Sequence, residues 1–438
     1  MKVFKFGGTS VGSVETMRTV MNLIADGEQK LIVLSAMSGT TNNLVEISDY
    51  LSKKNKESAL GVISALEKKY YNVVFDLYQT KEIKDQGKKI LEERFAVIKS
   101  YTSGTFPQEG ARALLAQGEL ISTALFTLLM QESGYNALLL PALDFMKIDG
   151  DKMPDSYFIR EKLNNLLKIL PKAEYYITQG FICRNQEGEI DNLQRGGSDY
   201  TATLIGAAIN SEEVQIWTDI DGFQNNDPRF VENTKKVDSL SFNEASELAY
   251  FGAKILHPQT VLPAMMNDIP VRLKNTMNPP DPGTLITSES QTNGIKAVAA
   301  KDGITAIKIR SGRMLNAYGF IKNIFEIFEF FKTSIDMITT SEVAVSVTID
   351  DSKHLDEIVA ELKEYGKVEI DRNQTIVCIV GNMIAEEKGF AAKVFTSLQD
   401  IPIRMISYGG SRHNISVLVS TNDKKATLQA LSSKLLNS

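Results

Sequence analysis

Lys5 heads the stretch "KFGGTSVGS" (residues 5–13), a cation followed almost at once by two glycines, a threonine and a serine. Glycines let backbone N–H groups approach an anion closely, and a helix N-terminus behind them adds partial positive charge. The same residues also suit a tight turn in which Thr or Ser caps the next helix. "NLQRGGSDYTATLIGAA" repeats the arrangement, with Arg195, a second glycine pair, then Ser198 and Asp199 opening a helical pattern. "VLSAMSGTTNNL" offers Ser35, Ser38, Thr40 and Thr41; "IWTDIDGFQNNDPRF" offers Thr218, Asp219, Asp227 and Arg229; "AYFGAKILHP" offers Lys254. Read singly, each stretch fits a capped helix or a polar loop at least as well. Two glycine pairs, each beside a cation, point together to a phosphate site. Phosphoryl transfer asks for positioning and charge neutralisation more than for covalent help. The G-x-x-x-x-G-K-[ST] and G-x-G-x-x-G loops and the protein-kinase motifs are missing. Three histidines with no acid or base gathered round them lend little to a hydrolytic triad or zinc chemistry.

The elements that must hold these residues follow from hydrophobic patterning. Apolar runs at 30–36, 136–142, 174–182, 213–219 and 269–275 read as strands, and helical patterns such as "LLAQGELISTALFTLLMQES" separate them. Buried strands alternating with helices imply an α/β fold with a mostly parallel central sheet sandwiched by helices. Ligands in such sheets bind beyond the carboxyl ends of the strands, where the polar clusters fall. Residues 51–101 read as a charged, helical excursion from the sheet. With 438 residues, 43% hydrophobic and 23% charged, the chain suits two or three ordinary globular domains. A net charge of −6 argues against nucleic acid or an anionic membrane as partner. Cys183 and Cys378 fit neither a disulfide framework nor a metal cluster. No apolar run reads as a membrane span and the chain opens directly in a strand, so a reducing cytoplasm is the expected location.

"KFGGTSVGS", "VLSAMSGTTN", "QGEL", "RGGSDYTA", "WTDIDG", "DPR" and "FGAKILHP", in this order, resemble the aspartate kinase family over essentially the whole chain. That family has the amino-acid kinase fold. The resemblance implies transfer of the γ-phosphoryl group of ATP, with Mg²⁺, to the β-carboxylate of L-aspartate, giving 4-phospho-L-aspartate. This is the first step of lysine, threonine and methionine biosynthesis. A carboxylate nucleophile is already ionised at neutral pH and needs no general base. The obstacle is repulsion between anions, which Lys5, Mg²⁺ and the N–H groups of Gly7, Gly8 and Ser10 would offset. By the resemblance Arg195 takes the substrate α-carboxylate, Glu119 its α-ammonium, and Thr41 and Ser198 contact it further. Asp199 orders Lys5, while Thr218, Asp219, Arg229 and Lys254 match nucleotide positions. Gln224 stands where the family usually carries an aromatic residue, and no dedicated metal ligand is named by the sequence.

From about Ile295 the pattern changes. "SIDMITTSEVAVSVTID" (334–350) and "PIRMISYGGSRHNISVLVS" (402–420) are two versions of one strand–turn–strand unit, each between amphipathic helices. Two ferredoxin-like βαββαβ modules result, and paired copies resemble ACT domains, which bind amino acids. The expected boundaries are 1–293 for the catalytic domain, 294–371 for the first module and 372–438 for the second. The second module is one strand short, and Gly294–Ala300 is the spare strand expected to complete its sheet. "MLNAYGFI" and "SIDMITTSEV" resemble the effector loops of lysine-sensitive members. By that resemblance Met314, Ala317, Gly319 and Phe320 line one side of an L-lysine site, and Ile335, Asp336, Thr340, Ser341 and Glu342 the other. Ala317 replaces a serine frequent in those relatives. A homodimer or higher homo-oligomer through these modules is expected. Two other readings remain: an amino-acid sensor that binds nucleotide without turnover, and a kinase acting on glutamate.

Overall fold

The computed structural model describes the chain apart from residues 108, 194–195, 253–254, 291, 315–317, 383–387 and 437–438 and the side chain of residue 313. Arg195, Lys254 and Ala317 therefore lie outside the described residues. In chain order the elements are β1 (Lys2–Phe6), α1 (Val14–Ile24), β2 (Lys30–Leu34), α2 (Thr40–Ser52), α3 (Lys56–Leu77), α4 (Lys81–Ser100), α5 (Gly110–Leu115), α6 (Gln117–Glu132), β3 (Ala137–Leu139), α7 (Ser156–Ile169), β4 (Tyr175–Gln179), β5 (Ile182–Arg184), β6 (Ile190–Asn192), α8 (Gly197–Ile209), β7 (Val214–Thr218), β8 (Ser239–Ser241), α9 (Phe242–Tyr250), α10 (Pro258–Met266), β9 (Val271–Asn275) and β10 (Thr284–Thr287). There follow β11 (Gly294–Arg310), α11 (Phe320–Phe330), β12 (Ile338–Ser341), β13 (Ala344–Ile349), α12 (Leu355–Leu362), β14 (Lys367–Asn382), α13 (Phe390–Ser397), β15 (Met405–Tyr408), β16 (Asn414–Ser420) and α14 (Lys424–Leu431). They form two compact units, Met1–Gly222 with Leu256–Ser288, and Phe223–Ile255 with Glu289–Ser438. Phe223–Ile255 thus groups with the C-terminal sheet, although it lies inside the span 1–293.

In the first unit the strands run β3-β4-β2-β1-β7-β9-β10, parallel except for β10. Side chains alternate across a strand. Phe4, Phe6, Ile32 and Leu34 face a core built with Met17, Leu44, Tyr70, Phe95 and Phe126 from α1, α2, α3, α4 and α6. Burying each large apolar side chain stabilises by roughly 1.5–3 kcal/mol. Val3 and Lys5 take the opposite face, the side covered by α8. The run 174–182, expected as one strand, is broken into β4 and β5 by Phe181, whose φ is 71°. Contrary to the sequence reading, Gly110–Glu132 is long and apolar enough to pass for a membrane span. It is two helices, α5 and α6, mostly buried in this unit's own core.

The second unit holds one six-stranded sheet, β12-β13-β11-β14-β16-β15. β11 and β14 are double-length strands that pair antiparallel almost throughout. Gly294–Lys301 pairs with Ile376–Asn382, and Ile304–Arg310 with Lys367–Gln374, with register shifts between the halves. Each of the two long strands supplies one half to each ferredoxin-like module. The strand order is second, third, first, fourth in the first module, and the same in the second once its β11 half is counted as the fourth strand. One layer of helices, α11 and α12, packs on the first module. Helices α13 and α14 pack on the second.

Candidate active site

Lys5 is the last residue but one of β1, and its neighbours across the sheet are Val33 of β2 and Ile216 of β7. It projects to the α8 face, where its Nζ lies 2.7 Å from Asp199 in the first turn of that helix. Both side chains are largely buried, at 12% and 15% exposure, so the pair is only partly screened by solvent. α8 starts on Gly196, with φ of 70° and no side-chain cap. A Cβ there would stand 2.4 Å from Thr260 Cγ2, so both conformation and space call for glycine. α2 likewise starts on Gly39 without a side-chain cap. A helix start without a side-chain cap suits an anion.

The first glycine turn is built differently from its expectation. α1 begins only at Val14, and Ser13 caps it in a reciprocal box with Thr16. Of the three N–H groups expected to cradle phosphate, that of Gly7 donates to Trp217 O at 3.4 Å and that of Ser10 to Gly7 O at 3.0 Å. Among the described residues the Gly8 N–H has no partner. The turn closes on itself through bonds from Ser10 and Val11 N–H to Gly7 O and from Gly12 N–H to Thr9 O. Ser10 Oγ meets Thr276 Oγ1 at 2.8 Å in a buried bond, and the Thr276 N–H donates to Thr218 O at 2.9 Å. Thr276 was not singled out from the sequence. Its position just past the carboxyl end of the strand at 269–275 was the available signal.

Glu119 sits in the first turn of α6 and is 4% exposed. The Ala36 N–H donates to its Oε1 at 3.1 Å, while Oε2 is buried with no partner among the described residues. Burial pushes its carboxyl up to about 7, against the lowering pull of that backbone bond. A buried carboxylate with an unused oxygen suits an incoming cation. Ser35 Oγ donates to Ser198 Oγ at 3.0 Å, joining the end of β2 to the start of α8. Thr41 lies exposed in the first turn of α2. Thr218 donates to Asp219 at 3.1 Å at the end of β7. The second glycine pair, Gly196 and Gly197, lines a cavity of about 420 Å³ with Phe181, Asn192 and the ion pair of Arg112 and Asp191. Lys5, Asp199, Gly8, Ser198 and Thr218 thus share the carboxyl ends of neighbouring parallel strands and the helix starts that follow them.

In the second unit, Arg229 is held by Asp227, with Nε and Nη2 at 2.9 and 2.7 Å from its two oxygens. Burial works against the Asp227 charge, but Arg229 holds its carboxyl below the usual carboxylate range. Gly319 opens α11 with φ of 85°, and Phe320 is buried behind it. Thr340 and Ser341 end β12, and Glu342 is exposed in the turn. Met314 and Ile335 pack against the α11–α12 core. Asp336 is fully buried at its side chain and bound by Lys301 Nζ at 2.9 Å and the Tyr250 hydroxyl at 2.7 Å.

A family model described as the amino acid kinase family matches residues 1–275, and one described as an ACT domain matches residues 377–435. Fold and site together define an amino acid kinase joined to an ACT-type sheet. The Lysine-sensitive aspartokinase 3 of Escherichia coli is 34% identical over 99% of this chain and 98% of its own length. The crystal structure of E. coli aspartokinase III in complex with aspartate and ADP (R-state) covers 100% of both chains with a TM-score of 0.83 at 33% identity. The same enzyme in complex with lysine and aspartate (T-state) gives 0.82, at 33% identity over 99% of both chains. The chain belongs to the aspartokinase family, ATP-dependent phosphotransferases with a carboxyl acceptor, and the resemblance drawn from its motifs stands.

Proposed function

We propose that the Lys5–Asp199 pair and Glu119 carry out the two halves of this chain's reaction: phosphoryl transfer from ATP and selection of L-aspartate. The ion pair at the end of β1 is the observation that carries this reading. Asp199 aims the ammonium of Lys5, so the cation is already oriented when charge shifts among the phosphate oxygens, and nothing need reorganise in the transition state. The Gly8 N–H and the uncapped starts of α2 and α8 add donors of the same sense. Glu119 takes the substrate ammonium, exchanging a proton for a fixed cation. Arg195 takes the α-carboxylate, and Ser198 and Thr41 add hydrogen bonds. The β-carboxylate then attacks the γ-phosphorus, the bond from that phosphorus to the bridging oxygen breaks, and ADP leaves with 4-phospho-L-aspartate behind.

Thr218 and Asp219 hold the nucleotide, with Arg229 and Lys254 as further ligands. Mg²⁺ enters with the ATP phosphates. The described residues do not fit a protein-made cage for it: no three His, Cys, Asp or Glu side chains cluster, and Asp199 is spent on Lys5. L-Lysine feeds back through Met314, Ala317, Gly319, Phe320, Ile335, Asp336, Thr340, Ser341 and Glu342. Asp336 and Glu342 supply carboxylates for its ammonium groups. Copies of the chain associate through the ACT-type sheet, whose edge strands are β12 and β15. Both cysteines are free and buried, which suits the reducing cytoplasm.

Trapping the acyl phosphate with hydroxylamine tests the assignment. Hydroxamate and ADP should form with aspartate and not with glutamate or without amino acid. Equal turnover with glutamate would overturn the substrate, and nucleotide binding without hydroxamate would favour the sensor.

A further inference from the structure

We propose that Tyr250 and Lys301 are positioning residues that carry the effector signal from Asp336 to helix α9, and through it to the chain segment running into Lys254. The proposal rests on the reading of Asp336 as an effector ligand. It starts from one row of side chains on α9. Glu244, Glu247 and Tyr250 stand three residues apart, a spacing that keeps them near one helix face. Glu244 is fully buried and pairs with Lys296 of β11 at 3.0 Å. Glu247 accepts from Asn414 of β16 at 2.6 Å. These two anchor the helix to strands that form the body of the sheet. Tyr250, at the C-terminal end of the row, reaches the effector loop instead, donating to Asp336 Oδ1 at 2.7 Å.

Asp336 divides its two oxygens. Oδ1 takes both the Tyr250 hydroxyl and Lys301 Nζ, while Oδ2 is buried without a partner among the described residues. An effector ammonium can therefore engage Oδ2 of the same carboxylate that holds α9 through Oδ1. Lys301 has an alternative acceptor in Asp350, at 2.8 Å, and its ammonium lies 4.2 Å from the centre of the Tyr250 ring. Burial, together with the Asp336 and Asp350 charges, raises the Tyr250 pKa, which keeps its hydroxyl protonated as a donor. Beyond the helix, Gly252 has φ of 134°, and a Cβ there would lie 2.2 Å from Ala300 O. The backbone of Phe251–Gly252 is thus pressed against β11 beside Lys301. Residues 253–254 follow directly in the chain. An effector that draws Asp336 away from Tyr250 loosens the anchor at the C-terminal end of α9. A coupling free energy between the effector and nucleotide sites requires that kind of differential contact.

Tyr250→Phe keeps the ring and removes the donor, and it separates coupling from binding. Calorimetry should give a lysine affinity within about threefold of the parent, while saturating lysine leaves more than half of the activity in place. Glu247→Gln, on the same helix face but away from the effector loop, should keep the full inhibition of the parent, which a merely structural role for Tyr250 would not allow. If Tyr250→Phe is unstable, Lys301→Met gives the same split. Parental inhibition in both variants overturns the relay. So does parallel loss of lysine binding and inhibition, which would make these residues effector ligands. A parent chain that binds no lysine fails the effector reading itself, before any variant is made.

Discussion

Glu119 in the first unit and Asp336 in the second are both carboxylates with buried side chains, and they are satisfied in opposite ways. Among the described residues Glu119 has backbone N–H donors and no cation, so burial drives its carboxyl up to about 7. Asp336 has a lysine and a tyrosine on one oxygen. A buried charge without a counterion is costly, and a protein holds one where a ligand will complete it. A buried charge already matched by internal partners costs less and can trade one partner for another. On the proposed roles, the first unit is poised for a charge that substrate would bring, whereas the second holds a pair that an effector could rearrange. The same element composition, parallel strands or paired ferredoxin-like modules, would not have separated these two roles.

The largest expected effect lies on the catalytic side. Lys5→Ala removes a preoriented cation from the transferring charge and should lower kcat by about 10³-fold, measured as ADP release, with the KM for aspartate little changed. A rise only in the ATP requirement, with turnover intact, would reduce Lys5 to a binding residue.

Glu119→Gln comes next and carries two signs. Losing a charge-assisted bond to the ammonium should raise the aspartate KM about 10–100-fold. Stability should move the other way. A carboxyl whose folded pKa lies above its unfolded value favours folding while protonated, and that benefit fades as pH rises from the ordinary glutamate range to about 7. Above pH 7 the folded parent bears the whole desolvation cost, on the order of 3 kcal/mol. The variant should therefore melt higher than the parent at pH 8 and equally at pH 4. Its aspartate KM should also lose the parental rise below pH 7. A variant that melts lower at pH 8 would mean that Glu119 is internally paired after all, and the contrast with Asp336 would collapse.

The smallest effect concerns the regulatory side. At the proposed lysine site Ala317→Ser adds one hydroxyl, and one hydrogen bond from it would contribute about 0.5–1.5 kcal/mol. The lysine concentration for half inhibition should fall several-fold in a coupled assay. Threonine should remain without effect in both forms.

Much of this protein could be read from residues in order. Strand-length apolar runs separated by helical patterns imply a parallel sheet, because period and length act locally. Glycine pairs beside Lys5 and Arg195 mark places where a backbone could approach an anion, because glycine permits such approach wherever it falls. The repeat at 334–350 and 402–420 reveals two modules. Other features exist only once distant segments meet. That the Gly7 and Ser10 N–H groups are already engaged depends on Trp217 O and on the path of the turn. Ser10 finds Thr276 across 266 residues of sequence. The apolar length of Gly110–Glu132 has the composition of a membrane helix, and only its packing shows it to be core. That Glu119 is buried at the start of α6, and that Lys301 and Tyr250 close on Asp336, is visible only once distant segments meet. Residue type sets what chemistry a side chain can do; desolvation and the partners supplied by tertiary contacts decide which charge is left open for a ligand.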